Sequence, residues 1–287
     1  MLVAGYLARR FERLPENAPE VLNRFVIDVC VPATILRLVP RLSLGAGVTV
    51  LAVMPWVMAS LAYVAARVAA RLLSLDRVTA TALFLATALG NTSFLGFPLC
   101  SALLGESALP LAAVYDQLGS FLMLATVVPV VLGRVADGPR LRPGALARRV
   151  LLFPPLVALA VALLPVPWPA ALAPLLTAAA APLIPVSMFA VGMKLRLTPP
   201  RPARVLGLGL AMKLVVLPAA SWVLARALGV PPLVLKVTVL ETAMPTMVTA
   251  GAVMMASGVA VDLAAAFVSW GLVLALVTVP LWALLLR

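Results

Sequence analysis

Apolar segments of membrane-spanning length follow one another along the whole chain, and this repetition limits the folds that it can adopt. A helix needs about 20 apolar residues to cross a hydrocarbon core about 30 Å thick. We predict ten such segments, called spans one to ten, at residues 1–9, 20–38, 46–70, 78–103, 108–133, 146–164, 171–194, 203–227, 232–257 and 260–286. The first is too short to cross by itself. The pattern predicts an all-α polytopic membrane protein.

The amino-acid composition agrees with this class of protein. Hydrophobic residues make up 64% of the chain and charged residues 11%, whereas soluble domains carry about 25% charged residues. The net charge of +12 does not indicate nucleic-acid binding, because the basic residues lie in short clusters between the spans, as in membrane loops. We therefore expect the lipid bilayer, and no nucleic acid, among the partners.

Two spans carry polar and helix-breaking residues at mid-membrane depth. Span four contains GNTSFLGFP, and span nine contains ETAMPT. Glycine and proline weaken or remove backbone hydrogen bonds that lipid cannot replace, so a span built only for stability would avoid them. We predict that Pro98 and Pro245 break the two helices. Paired interrupted spans in the two halves of a membrane chain indicate the substrate site of a transporter.

Matching strings indicate an internal repeat. VCVPATILRL, with Pro32, matches LIPVSMFAVGMKL, with Pro185, at an offset of 153 residues. TVVPVVL, with Pro129, matches VTVPLWAL, with Pro280, at an offset of 151 residues. The nearly constant offset pairs span four with span nine, and five spans in each half make the two halves face opposite ways in the bilayer. We predict repeats at residues 1–136 and 144–287, with a first helix that extends upstream of Met1.

Basic loop residues predict the orientation in the membrane. The loops that follow the odd-numbered spans carry most of the 22 Lys and Arg residues. Loops rich in Lys and Arg stay in the cytoplasm. We therefore predict a multi-pass protein of the plasma membrane, as in a bacterial inner membrane, with both termini outside the cytoplasm.

Four stretches of the sequence form recognisable motifs: GNTSFLGFPL in span four, NRFVIDVCVPATIL in span two, PLIPVSMFAVGMKLRL in span seven and the segment from ETAMPTMVTAGAV onward. Together they resemble the auxin efflux carrier family, which includes plant PIN-type auxin exporters and bacterial malate or malonate permeases, and the similarity runs from Gly5 to the end. The resemblance implies ten helices in two inverted five-helix repeats, as in bile acid sodium symporters, with spans four and nine crossing. It also implies an organic anion carried by an elevator-like motion of a transport domain against a scaffold domain. Ser93 departs from the glycine more usual in the family.

The polar residues at the two interruptions form the candidate substrate site. A helix that begins at a break presents unpaired N–H groups and a positive dipole end, which favour a carboxylate. Asn91 is the first candidate, because its amide can both donate and accept hydrogen bonds; its alternative role is to cap the broken helix. The further candidate substrate-binding residues are Thr92, Ser93, Thr242, Met244 and Thr246. The threonine hydroxyls have an alternative role as donors to carbonyls of their own helices.

Charged residues inside the spans are candidates for ion coupling, since a charge within a membrane is costly and usually functional. They are Asp28, Asp116, Lys213 and Glu241. One interpretation pairs Lys213 with a carboxylate whose protonation or cation binding is coupled to movement. The alternatives are a static ion pair and a lysine whose stem reaches the interface. Tyr115 and Gln117, beside Asp116, either line the same cavity or only pack.

The sequence contains no cluster that indicates catalysis or a cofactor. The chain has no histidine, and Cys30 and Cys100 lack metal-ligand spacing, so we expect no metal site and interpret both cysteines as apolar core residues. We predict a secondary active transporter of a small organic anion, such as a carboxylate or an auxin-like weak acid, and not an enzyme. The alternatives are a sodium-coupled bile-acid-like symporter and a membrane ligand sensor that moves nothing. A homodimer is one option for its assembly.

Overall fold

Helices make up the regular structure of the described residues. The computed structural model describes residues 1–15, 17–41, 46–135, 143–164, 169, 171–194 and 203–286. In chain order the helices are α1 Leu2–Arg10, α2 at residues 18–41, α3 Ala46–Leu72, α4 Arg77–Ala88, α5 Thr92–Leu104, α6 Glu106–Leu132, α7 Pro143–Leu151, α8 Pro154–Ala162, α9 Leu172–Met193, α10 Ala203–Ala227, α11 Pro232–Thr242, α12 Val248–Ala256 and α13 Val261–Leu285. The β structure found in these ranges is an isolated bridge between Gly90 and Thr246.

Five of the described helices are long and apolar enough to cross a membrane without a break. They are α3 from Gly47, α6, α9, α10 and α13. The chain is therefore a polytopic membrane protein. The other predicted spans are not among these five for identifiable reasons. Helix α1 has nine residues, which is about 14 Å of helix, and α2 carries charged residues along its length. Spans four, six and nine are each divided into two shorter helices.

The described helices pack in two groups. In the first, α1 lies against α9, and α2 lies against α8 and α9. In the second, α3 packs on α4 and α6, α10 packs on α11 and α13, and α12 packs on α13. The groups meet where α9 contacts α5 and where α2 and α8 contact α6. The second group holds much of the buried core, including Phe97, Leu240 and Phe267.

Two glycines allow the closest approach of helices in the first group. A Cβ atom at Gly5 would overlap the backbone carbonyl of Phe189, and a Cβ atom at Gly192 would overlap the backbone carbonyl of Leu2. Small residues let helix backbones approach closely in membranes, where van der Waals packing drives association. The docking of the short α1 on α9 therefore depends on these two positions.

The interruptions of spans four and nine pair with each other through the backbone. Helix α4 ends at Ala88 and α5 begins at Thr92, while α11 ends at Thr242 and α12 begins at Val248. The N–H of Asn91 donates to the carbonyl of Pro245 (2.8 Å), and the N–H of Met247 donates to the carbonyl of Leu89 (2.9 Å). Backbone groups within a membrane need protein partners, and here each break provides them for the other. We call this pairing the crossing.

Candidate functional site

Most of the polar residues that the sequence singled out gather at the crossing. Seven of them are almost fully buried: Asn91, Thr92, Asp116, Lys213, Glu241, Thr242 and Thr246. They come from α5, α6, α10 and α11 and from the two interruptions. Met244 is also buried there, but its side chain has no hydrogen-bonding group beyond a weakly accepting thioether. Ser93 is partly buried and lies close to the Asp116 carboxylate.

The side chain of Asn91 is buried without a hydrogen-bond partner. It is 1% exposed, and neither Nδ2 nor Oδ1 has a partner among the described residues. The backbone of Asn91 is well bonded, because its carbonyl accepts from the N–H groups of Leu95 and Gly96. The side chain makes no capping bond to α5, so the alternative capping role is not observed. A buried amide left unpaired lowers the stability of the fold by about 1–3 kcal/mol. The presence of Asn91 here is therefore explained by a requirement other than stability.

The Asp116 carboxylate is surrounded by neutral donors. Oδ1 accepts from the hydroxyl of Thr92 at 2.5 Å, and Oδ2 accepts from the amide of Gln117 at 2.6 Å. The carboxylate is 0% exposed. The Oε1 atom of Gln117 is buried and has no partner in the described part of the chain. Gln117 therefore holds Asp116 with one end of its amide and leaves an acceptor free at the other.

Glu241 lies in the last turn of α11, where it contacts the other interrupted span. The thiol of Cys100 donates to Oε1 at 3.4 Å, whereas Oε2 is buried with no partner among the described residues. A Cβ atom at Gly96 would overlap the carboxylate, so the glycine makes room for it. The apolar surroundings of Cys100 in the sequence predict a core residue; Cys100 is buried, but its thiol also contacts Glu241, a partner that the sequence does not reveal.

Lys213 brings a positive charge to the same region. Its Nζ atom lies 3.3 Å from the point where a Cβ atom on Gly90 would be. The three ion pairs found among the described residues are Arg24–Asp28, Arg37–Glu106 and Lys194–Glu20, so Lys213 is in none of them. Its ammonium group still interacts electrostatically with the Glu241 carboxylate. The close ion pair considered for Lys213 is thus absent from the described structure.

The threonines at the crossing differ in their bonding. The hydroxyl of Thr242 donates to the carbonyl of Thr238 in its own helix (2.8 Å) and lies 2.9 Å from the hydroxyl of Tyr115. The hydroxyl of Thr246 donates across the crossing to the carbonyl of Ala86 (2.8 Å). Thr242 thus makes the within-helix bond considered as its alternative role, whereas Thr246 joins the two interrupted spans.

Two other predicted residues lie elsewhere than expected. The break of span four is at residues 89–91, whereas Pro98 lies at the beginning of the α-helical part of α5, directly after a wide π turn at Thr92–Gly96. Such a turn uses longer-range bonds, so the missing N–H of proline does not end the helix. Pro245 does lie inside the break of span nine. Asp28 pairs with Arg24 at 3.3 Å and is 40% exposed, so it is not part of the buried cluster.

π-helical turns carry several of these side chains. Asp28 lies in Val26–Cys30, Thr92 in Thr92–Gly96, Asp116 in Asp116–Phe121 and Lys213 in Met212–Val216. Single π turns within helices occur frequently at functional sites. A π turn rotates the residues that follow it about the helix axis. The regular periodicity of an α-helix, read from the sequence, does not reveal where such turns occur.

A cavity of about 790 Å³ opens between the two groups of helices. Charged residues of the first group line one wall, including Arg9, Glu20 and Lys194. Apolar residues of α12 and α13 line the other wall, including Val248 and Val268. Because Val248 is the first residue of α12, the cavity extends from the edge of the crossing to the ends of α1 and α9.

Comparisons with known proteins agree with a transport role. The family model described as membrane transport protein matches residues 1–139 and 146–283. An uncharacterized transporter of Methanothermobacter thermautotrophicus is 30% identical over 100% of this chain and 95% of its own length. A second uncharacterized transporter, from Methanocaldococcus jannaschii, is 28% identical over 55% of this chain and 51% of its own length. The chain belongs to the membrane transport protein family, which confirms the resemblance to the auxin efflux carriers.

Proposed function

We propose that this transporter is a secondary carrier that moves a small organic anion by alternating access, with the substrate bound at the crossing of spans four and nine. The observation that carries the proposal is the Asn91 amide, whose two polar atoms are buried without partners beside the interruption. A carboxylate substrate would accept from Nδ2. Hydrogen bonds between a charged group and a neutral one contribute about 1.5–3 kcal/mol each.

The ends of the helices at the crossing favour an anion. Helices α5 and α12 both begin there, at Thr92 and Val248. Their first N–H groups have no partner within the helix, and their dipoles place partial positive charge at these ends. Lys213 adds a full positive charge near Gly90. A carboxylate with a small organic body suits this combination, whereas a cationic substrate does not.

Helix packing supports two inverted repeats of five spans each, at residues 1–136 and 144–287. An inverted repeat exchanges span one with six, two with seven, three with eight, four with nine and five with ten. The contacts occur in the pairs that this exchange requires: span one packs on seven as span six packs on two, and span three packs on four as span eight packs on nine. Because the exchange swaps span four with span nine, it maps the crossing of these two spans onto itself.

The two groups of helices support an elevator-like mechanism. We assign α1, α2, α8 and α9 to a scaffold domain, and α3 to α6 with α10 to α13 to a transport domain. Both interruptions then lie in the transport domain and move together with the substrate. The cavity between the groups is the route by which the anion reaches the crossing from one side. Asp116, Lys213 and Glu241 travel with the site and are the candidates for coupling, whereas Asp28 stays on the scaffold.

Flux in proteoliposomes tests this proposal. Labelled malate, malonate and indole acetate are offered in turn, with and without sodium and pH gradients. We expect saturable uptake of one acid, which is lost in Asn91→Ala and retained in Asn17→Ala, a change in an exposed residue before α2. Binding without flux in the wild type would favour a sensor instead. Uptake that is unchanged in Asn91→Ala would remove Asn91 from the site.

A further inference from the structure

The two buried carboxylates near the crossing are bonded unequally. Each oxygen of Asp116 accepts a hydrogen bond from a neutral donor, Thr92 or Gln117. Glu241 has one contact with a thiol at 3.4 Å and one oxygen without a partner in the described residues. A thiol is a weak donor. The site therefore stabilises a negative charge on Asp116 and provides little hydrogen bonding for one on Glu241.

A buried carboxylate without donors is costly when it is ionised, because the protein does not replace the water that it has lost. A protonated carboxyl group avoids this cost, since it carries no charge and has an O–H that can donate. The unpaired Oε2 atom is the place where a proton would be held. Both oxygens of Asp116 already accept from neutral donors, so hydrogen bonding favours the ionised form of Asp116 over that of Glu241.

The surroundings of Glu241 link its charge to the substrate. The groups that face it are Asp116 and Tyr115 from α6, Lys213 from α10 and Cys100 from α5. Lys213 balances one carboxylate. With Glu241 ionised, the cluster carries a net charge of about −1, by counting Lys213 against Asp116 and Glu241. A bound monoanion would double that charge in a buried site unless a proton is taken up at the same time.

Glu241 belongs to one interrupted span and contacts the other. It lies in α11 directly before the break of span nine, and its carboxylate fills the space beside Gly96 of α5. Any change in how the two spans meet when substrate binds therefore changes the contacts of this carboxylate.

On the basis of the proposed carrier function, we propose that Glu241 holds the proton that is transported with each anion. Oε2 takes a proton from water on one side, forming an O–H bond, and returns it to water on the other side after the anion has left. One monoanion and one proton then cross together, so no net charge moves. Once the anion and the proton have both left, Glu241 is ionised and the buried cluster has the same net charge as in the loaded state, which lets both states cross the membrane.

Net uptake and exchange, measured side by side, distinguish proton coupling by Glu241 from substrate binding. Net uptake driven by an inward proton gradient requires the proton to bind and leave, whereas exchange of labelled for unlabelled acid does not. Glu241→Gln resembles the protonated state, so we expect it to lose net uptake and retain exchange. Asp116→Asn replaces one accepting oxygen by a donor, and we expect it to lose both. Glu106→Gln, an exposed residue paired with Arg37, is the control and behaves as wild type.

Three results would overturn the proposal. The first is net uptake by Glu241→Gln at the wild-type level. The second is wild-type uptake that a sodium gradient drives without movement of protons. The third is uptake of a monoanion that responds to membrane potential as a net charge would. If Glu241→Gln performs neither mode, the pH profile of exchange in Glu241→Asp decides: a shifted profile supports the proposal and an unchanged profile overturns it. Absence of any flux or exchange in the wild type would instead count against the carrier function itself.

Discussion

The Asn91 side chain destabilises the fold at the site proposed for the substrate. Its amide is 1% exposed and unpaired on both polar atoms among the described residues. An unsatisfied buried group costs about 1–3 kcal/mol, whereas an apolar side chain of similar size has no such cost. Functional residues often oppose stability in this way.

We therefore predict that Asn91→Leu raises the midpoint of thermal unfolding in detergent while it abolishes substrate binding. The gain arises because leucine removes the unpaired amide from the buried crossing. Thermal unfolding and ligand binding are measured on the same preparation. Asn17→Leu, at an exposed position, is the matched control and should change neither. A lower unfolding midpoint for Asn91→Leu would mean that the amide is satisfied in the native protein.

The sequence predicted many residues of the cluster but not their partners. Asn91, Asp116 and Lys213 stand out because a polar side chain within an apolar span is visible without any coordinates. The contact of Cys100 with Glu241 is invisible in the sequence, because it joins spans four and nine through tertiary packing. Asp28 is also visible in the sequence as a charge within a span, but the sequence does not reveal that its side chain pairs with Arg24 away from the buried residues.

At the scale of the element, hydrogen bonds to span nine determine the interruption of span four more than the helix-breaking residue Pro98 does. The chain leaves the helix at residues 89–91, where backbone bonds to Pro245 and Met247 replace the helical ones. The sequence located the break within the correct span because glycine and asparagine are unusual there. It misplaced the break at Pro98, because the hydrogen bonds that fix it come from the other half of the chain.

The start of α4 provides a prediction for a single helix terminus. The Asp76 carboxylate accepts from the backbone N–H of Thr79 at 2.7 Å and from its hydroxyl at 3.1 Å. The bond from the backbone holds the pKa of Asp76 below its ordinary value. We predict that Asp76→Ala lowers the free energy of unfolding by about 1 kcal/mol at neutral pH.

The pH dependence of that loss has a definite sign. A lowered pKa in the folded state means that the ionised cap stabilises the protein above the unfolded pKa of about 3.9, and that this contribution disappears as the pH falls through the folded value. The difference between wild type and Asp76→Ala should therefore shrink on acidification below about pH 4. Asp76→Asn keeps a capping side chain without a charge, and its stability should lack this pH dependence.

The contact between α1 and α9 should be sensitive to one added methyl group. A Cβ atom at Gly192 would overlap the carbonyl of Leu2, whereas one at Gly207 in α10 would meet no atom within 4 Å. Overpacking costs about 1–3 kcal/mol. We predict that Gly192→Ala lowers the thermal unfolding midpoint and that Gly207→Ala leaves it unchanged or slightly higher. Equal midpoints for the two variants would show that α1 does not depend on this contact.

At the scale of the whole molecule, the charges of the loops predict the orientation. With both termini outside, Ser74, between α3 and α4, faces the cytoplasm, and Ser107, at the start of α6, faces outward; both are exposed. Cys30 and Cys100 are buried free thiols, so they contribute little background. We predict that a membrane-impermeant maleimide labels Ser107→Cys in intact cells and labels Ser74→Cys only after permeabilisation. The reverse pattern would invert the topology.

The class of the molecule could be predicted from the sequence because it depends on composition and segment length. The arrangement of the helices could not be derived from those quantities. Gly5 and Gly192 look like other small residues until α1 and α9 are seen to meet at them. The offset between the matching strings singled out spans four and nine as a pair, and the breaks of these two spans bond to each other in the structure.

The backbone bonds of the crossing also constrain how the protein is made. Span four leaves the ribosome long before residues 245 and 247 exist, so the carbonyl of Leu89 and the N–H of Asn91 enter the membrane without their final partners. Unpaired backbone groups are not stable in lipid, and the nascent first half must keep them in contact with water or the insertion machinery. The two halves of the chain therefore mature as one cooperative unit: synthesis of the second half completes the folding of the first.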